Sequence, residues 1–225
     1  MFRTRQPTMG IVLHLIIINA LMYVGSFAVL GQELWDPRTR EMVELGRLKL
    51  AAFMPGSQHF EPYQILTHMF MHGNLMHLLF NMMALFFFGP AIEMVWGWRR
   101  FIFYYLFSGL GAYAIHLGVQ WWELSAAGIN PTDWNVPMLG ASGAVFGVLV
   151  AFAWLFPNQI ISLLFPPVSL KAKYFVPIIA ALELVYGVSG FSSGIAHFAH
   201  LGGALCGFLL IAIWYRRSLF GKYIN

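Results

Sequence analysis

The sequence predicts an all-α, polytopic membrane protein, and three observations carry that expectation. Hydrophobic residues fill 59% of the 225 positions and charged residues 10%, where an ordinary soluble domain carries about 25% charged residues. Six apolar stretches can be drawn, at residues 10–30, 73–96, 101–120, 138–156, 174–190 and 195–215, each suited to crossing a hydrocarbon core about 30 Å thick. The basic residues are sorted between alternate connections.

The first stretch follows Arg3 and Arg5 and has the outline of a signal peptide. It lacks a small-residue cleavage site, its apolar run is long and further spans follow, so it is expected to remain as a helix. Residues 31–72 form a long external connection, too charged at its start to enter lipid. Arg38, Arg40, Glu41, Glu44, Arg47 and Lys49 suggest an amphipathic helix lying at the interface. The later Phe60-Glu61-Pro62-Tyr63 is aromatic enough to sit in the headgroup layer. Residues 121–137 read as a second external loop, opened by Trp121 and Trp122 and broken by Gly128, Pro131 and Pro137. The connection 157–173 contains Pro157, Pro166 and Pro167, which stop helices. With no repeat and little chain left over, residues 1–225 are expected to form a single six-span domain.

Charge sets the orientation. With the N-terminus inside, the inner segments hold Arg3, Arg5, Arg99, Arg100, Lys171, Lys173, Arg216, Arg217 and Lys222, nine of the 13 basic residues, against one acid, Glu93. The outer segments hold the other four basic residues and seven acids. By the positive-inside rule the chain is N-in, C-in, and the net charge of +4 marks topology rather than nucleic-acid binding. The one cysteine, Cys206, can form neither an intramolecular disulfide nor a cysteine-based metal site and is expected to pack as a small residue.

The spans carry small residues at close-packing intervals. Gly143-x-x-x-Gly147 with Ala151 marks one face of the fourth, and Gly203-x-x-x-Gly207 one face of the sixth, a spacing that lets two backbones approach. Close contact there would bring Ser142 towards His200. Depth agrees: at about 1.5 Å per residue, Ser142 lies roughly 22 Å above Pro157, His200 roughly 24 Å above Arg216 and Asn81 roughly 22 Å above Trp96. His77 stands about one turn higher than Asn81. All four then fall in the outer third of the core.

A serine in an apolar helix is most often a packing residue bonded to its own i−4 carbonyl. Gly140 and Gly143 beside Ser142 favour chemistry instead, because they leave room for a substrate backbone and expose N–H groups near a helix N-terminus. His200 could accept the serine proton directly. His77 and Asn81, spaced i, i+4, share a helix face; with the Ser142 N–H they could hold an oxyanion, or they could be polar glue between helices. Glu183 is the only carboxylate within a later span, and a hydrogen-bonded structural role is expected for it rather than membership of a triad. His68 and His72, again i, i+4, and His197, three before His200, also admit a haem- or metal-binding reading. Against that reading, no HExxH is present and no carboxylate accompanies the cluster. His14 and His116 are expected to cap helices or face the interface.

The run His68-x-x-x-His72-x-x-x-x-His77-x-x-x-Asn81, then Gly140-Ala141-Ser142-Gly143, then Ala199-His200-Leu201-Gly202-Gly203 with Gly207, resembles the rhomboid intramembrane serine proteases. The match covers the six-helix core, nearly the whole chain, and the ordered combination is specific where each motif alone is weak. The resemblance implies a six-transmembrane-helix rhomboid-like bundle without metal or organic cofactor. It implies Ser142 as nucleophile, His200 as general base and acid, and His77, Asn81 and the Ser142 N–H around the oxyanion. Gly140, Ala141 and Gly143 then border the substrate, with Phe146, Gly203 and Gly207 in support.

Its implied partners are single-pass or polytopic transmembrane proteins within the lipid bilayer, cut near the outer membrane face after local unwinding. Residues 174–190, with the loop 187–196 carrying Gly187, Gly190, Ser192, Ser193 and Gly194, would act as gate and cap. A bacterial inner membrane is the expected location, since the minimal core carries no transit peptide or appended domain. The chain departs from the family twice. Tyr63-Gln64 stands where Trp-Arg is common, which removes a guanidinium that braces the outer loop. Phe146 stands where a tyrosine commonly stacks under the histidine. The rival readings are a catalytically inactive rhomboid-like protein that binds membrane proteins, and the haem- or metal-binding membrane protein.

Overall fold

The computed structural model describes residues 10–28, 30–31, 33–36, 41–163, 167–189 and 196–216. The expectations placed on Arg3, Arg5, Arg38, Arg40, Gly190, Ser192, Ser193, Gly194, Arg217 and Lys222 lie outside the described residues.

The chain is mostly helical. In order come α1 (Ile11–Ala28), a hairpin of β1 (Glu33–Asp36) and β2 (Glu41–Glu44), then α2 (Leu45–Leu50) and α3 (Gln64–Thr67). They are followed by α4 (Leu75–Trp96), α5 (Trp98–Ala126), α6 (Ser142–Leu155), a second hairpin of β3 (Ile160–Leu163) and β4 (Val168–Lys171), α7 (Ala172–Val188) and α8 (His197–Trp214). Among the described residues four helices, α1, α4, α5 and α8, are long and apolar enough to cross a membrane. Helix α6 is apolar with 14 residues, and α7 has 17. Phe86, Met94, Phe27 and Ile213 stand more than half exposed, the arrangement of helices whose outer faces meet lipid rather than water. This is a multi-pass membrane protein.

Several expected boundaries move. The amphipathic helix expected around residues 38–49 is replaced in part by β2, which pairs antiparallel with β1 from Glu33↔Glu44 to Asp36↔Glu41; only Leu45–Leu50 is helical. The third stretch, expected at 101–120, is a single helix from Trp98 to Ala126 that absorbs Trp121 and Trp122, because no proline occurs in it and the first one after Trp98 is Pro131. The fourth begins at Ser142 rather than at 138, since Met138 pairs in extended form with Ala52. The inner connection closes as the β3–β4 hairpin, Ile160↔Lys171 to Leu163↔Val168.

Helices α5, α6 and α8 pack closely together at the centre, α4 leans on α6 and carries α1, and α7 lies on α8. Glycines allow this. A Cβ on Gly203 would collide with the backbone carbonyl of Gly143, one on Gly207 with the Tyr104 ring, and one on Gly147 with Ser108. The two GxxxG faces therefore meet as their spacing predicts, with α6 and α8 in backbone contact. Tyr104 fixes the crossing from α5 by donating its hydroxyl to the Gly147 carbonyl at 2.7 Å. Cys206 packs against Gly111 of α5. At the start of α1, Glu93 of α4 accepts from the Ile11 and Val12 amides at 2.8 and 3.1 Å, satisfying free helix-start N–H groups with a charge of the favourable sign.

The outer loop is fastened by polar groups. Gln64 is fully buried; its side-chain amide donates to the Leu48 and His59 carbonyls, each at 3.0 Å, and its carbonyl accepts from the Glu61 amide at 3.0 Å. Thr67 donates to Leu50 O at 2.8 Å and Tyr113 of α5 to Phe53 O at 3.2 Å. Gln64 thus braces the loop directly, in the place where the resemblance sets an arginine.

Candidate active site

Ser142 is the first residue of α6, after Ala141 with φ −71° and ψ −9°. Its backbone N–H consequently has no intrahelical acceptor. The segment before it is held by Gly140, whose N–H donates to His68 O at 2.9 Å. Gly140 has φ +125°, which side-chain-bearing residues rarely adopt. The volume a Cβ there would fill is bordered by His77 Cε1 at 2.8 Å, His77 Nε2 at 2.9 Å and Ser142 Oγ at 3.5 Å. One glycine thus brings the His77 ring, from α4, up to the serine hydroxyl.

His200 reaches the same point from α8. Its Nε2 lies 2.8 Å from Ser142 Oγ, in position to accept the hydroxyl proton. Phe146, one turn along α6, stacks on the His200 ring at 4.4 Å and 7°. The benzyl ring alone supplies the platform, and no hydroxyl is required for it. A hydroxyl bonded to an imidazole whose plane is fixed by packing is an arrangement able to transfer a proton and attack a carbonyl carbon.

Helix α4 completes the wall. Asn74 caps it, its side chain accepting from the His77 amide at 2.8 Å. Asn81 is buried and donates one amide hydrogen to His77 O at 3.0 Å, so the second hydrogen of its NH2 group stays available. Leu78 and Met82, its neighbours on α4, pack against Ala141, just before α6, and Val145 in its first turn. His77 and Asn81 therefore share a face, as their spacing predicts, beside the start of α6.

His68 and His72 do not share one. The helical path ends at Phe70 and Met71 is extended. His68 is buried against Tyr113, with Nδ1 bonded to Gln64 O at 3.0 Å. His72 is buried with its ring 5.1 Å from that of His77. Burial lowers both pKa values from 6.5 to about 4. Among the described residues no three His, Cys, Asp or Glu side chains stand together as metal ligands would. His14 bonds Gly10 O at 2.9 Å near the start of α1, and His116 is half-buried within α5.

Glu183 is more engaged than a packing role requires. Its Oε2 accepts from His197 Nδ1 at 2.7 Å and lies 3.0 Å from His200 Nδ1. The sequence signal for this was a lone carboxylate in an apolar stretch, without a named partner. Asn74 was likewise legible as an asparagine directly before an apolar run. Gly187 lies inside the last turn of α7, against Phe198.

A family model described as the Rhomboid domain matches residues 59–217. The chain is 26% identical over 204 residues to Rhomboid-like protease 3 of Toxoplasma gondii, covering 88% of this chain and 66% of that protein. It is 30% identical over 146 residues to Rhomboid protease AarA of Providencia stuartii, covering 63% and 52%. With the putative rhomboid protease YdcA of Bacillus subtilis it shares 32% over 170 residues, 75% of each chain. The chain thus spans about two thirds and one half of the first two relatives. A model match that runs from the outer loop through the serine, histidine and both GxxxG helices makes this chain a member of the rhomboid family.

Proposed function

We propose that the protein is an intramembrane serine endopeptidase that uses a Ser142–His200 dyad to cut transmembrane helices near the outer membrane face. The observation that carries this reading is the 2.8 Å contact between Ser142 Oγ and His200 Nε2, formed where two apolar helices touch backbone to backbone. His200 takes the hydroxyl proton as Oγ attacks the scissile carbonyl, then delivers it to the departing amine; water repeats the cycle on the acyl-enzyme. The developing oxyanion is met by the Ser142 N–H at the start of α6, by His77 and by the second amide hydrogen of Asn81. Gly140 leaves room beside the serine for a peptide backbone; Ala141 is buried and Gly143 packs against Ala112 of α5, while Gly203 and Gly207 hold α8 against α6.

Substrates are proteins whose own membrane helices unwind locally, because a peptide bond in an intact helix is shielded by its hydrogen bonds. In this reading residues 1–225 form one catalytic domain of six spans, N-in and C-in. The sorting of basic residues supports that orientation, and the inner membrane of a bacterium is the proposed location.

The test is labelling of detergent-purified protein with a fluorophosphonate, beside cleavage of a transmembrane reporter in proteoliposomes. Wild type is expected to label and cleave, and Ser142→Ala and His200→Ala to do neither while remaining folded. Labelling that persists in Ser142→Ala would remove this serine from the chemistry.

A further inference from the structure

Glu183 lies on α7, in a helix whose neighbouring Leu182, Leu184 and Val185 are exposed apolar side chains. A carboxylate there is costly unless it is paired. It meets two histidines one turn apart on α8: His197 Nδ1 at 2.7 Å and His200 Nδ1 at 3.0 Å. The three side chains are 17%, 8% and 12% exposed respectively, so their mutual attraction acts with less solvent screening than a surface pair would have. The His197 contact is a well-formed hydrogen bond. The His200 contact is close but off the N–H axis, and Nδ1 has no other hydrogen-bond partner among the described residues. Catalytic hydrogen bonds are often loose in the free enzyme and tighten with substrate.

Phe146 holds the plane of the His200 ring, and the ring has a polar neighbour at each of its two nitrogens. Ser142 Oγ stands at Nε2 and Glu183 Oε2 at Nδ1. We propose that Glu183 is the positioning residue of the dyad. It keeps the proton of neutral His200 on Nδ1, so that Nε2 is free to receive the serine proton. Its negative charge opposes the positive charge that the ring then acquires. The order hydroxyl, imidazole, carboxylate is that of a Ser–His–acid triad, assembled here from three helices. The same contact ties α7 to α8 beside the reacting groups. This inference rests on the Ser142–His200 reading.

The experiment compares wild type, Glu183→Gln and Glu183→Asp in detergent, recording both the rate constant and the end-point of fluorophosphonate labelling. It adds kcat and KM on a transmembrane reporter. Glu183→Gln is expected to slow labelling and kcat about 10²-fold with KM unchanged. That is less than the ~10⁴-fold loss at a buried, aligned triad acid, because this contact is off-axis and partly solvated. Glu183→Asp is expected to recover part of the rate. A carboxylate that merely holds the fold would lower the labelled fraction and leave the rate constant of the folded molecules alone. A Glu183→Gln rate constant within twofold of wild type overturns the proposal, as does a Glu183→Asp rate no better than that of Glu183→Gln. If wild type itself fails to label, the dyad falls and Glu183 falls with it, an outcome distinct from either.

Discussion

Gly203→Ala is the sharpest perturbation of the helix contact on which the site depends. The added methyl would meet the backbone of Gly143, with the carbonyl carbon at 2.6 Å and Cα at 3.1 Å, where ordinary contact begins at 3.4 Å. The obstacle is main chain, so no side-chain rotation relieves it, and α6 and α8 must part by roughly 1 Å. Ser142 begins one of these helices and His200 stands three residues before Gly203 on the other, so the 2.8 Å contact between them opens with the crossing. A displacement of about 1 Å at reacting groups can cost ~10²-fold in rate, and overpacking of a tight interface costs about 1–3 kcal/mol in stability. Gly203→Ala is therefore expected to lower both the labelling rate constant and kcat about 10²-fold, with a lower melting temperature. Gly118→Ala is the matched control: in α5, with open space at its Cβ, it should melt at or slightly above wild type, since alanine is favoured in helices by up to about 1 kcal/mol. Wild-type melting and turnover in Gly203→Ala would refute the backbone contact between α6 and α8.

Three further outcomes are expected. Gln64→Ala leaves the Leu48 and His59 carbonyls and the Glu61 amide without their side-chain partner, a loss of about 1–3 kcal/mol per buried group. It should appear as a lower melting temperature and faster proteolysis of residues 45–70, with turnover of the folded fraction unchanged. Asn81→Ala removes one oxyanion donor and should reduce kcat by up to about 10²-fold; unchanged kcat would confine Asn81 to its bond with His77 O. For pH, His68 and His72 stay neutral in the folded protein down to about 4, whereas they protonate near 6.5 when unfolded. The unfolded chain therefore binds more protons in that window, so stability is fully present above about pH 6.5 and is lost as pH falls towards 4. His68→Gln should flatten that slope in melting scans between pH 7 and 4.5, and an unchanged slope would show that His68 does not drive it.

Much of this fold was legible because lipid imposes two simple constraints on sequence. A spanning helix must be apolar all round, which fixed the helices Ile11–Ala28, Leu75–Trp96 and His197–Trp214 to within a few residues. Close approach requires small residues, which identified the contact through Gly143, Gly147, Gly203 and Gly207. What failed lay outside lipid. The run from Arg38 to Lys49 carries charges that an interfacial helix and a hairpin can expose equally well, so composition could not separate them. Helix α5 continues to Ala126 because Trp121, Trp122 and Glu123 suit a helix end at the interface as well as a loop, and a loop was inferred where only a change in polarity was present. Gln64 is a different kind of failure. Read against a motif it was a missing guanidinium, whereas a fully buried amide offers both donors and an acceptor and can meet three backbone groups at once.

The pairing of Glu183 with His197 and His200 was out of reach for a related reason. A hydroxyl, an imidazole and a carboxylate placed on three helices leave no local spacing to read; only the packing of α7 on α8 brings the third to the second. Several polar groups in this site are tolerated in an apolar bundle because another meets them: Ser142 with His200, His197 with Glu183, Asn81 with the backbone of α4. A buried polar group left alone costs several times what a made hydrogen bond returns. The set therefore resists piecemeal change, and loss of any one member leaves a partner unsatisfied in a poorly solvated place. The glycines that bring α6 and α8 together are part of the same requirement, because only backbone contact holds Ser142 Oγ and His200 Nε2 at hydrogen-bond distance.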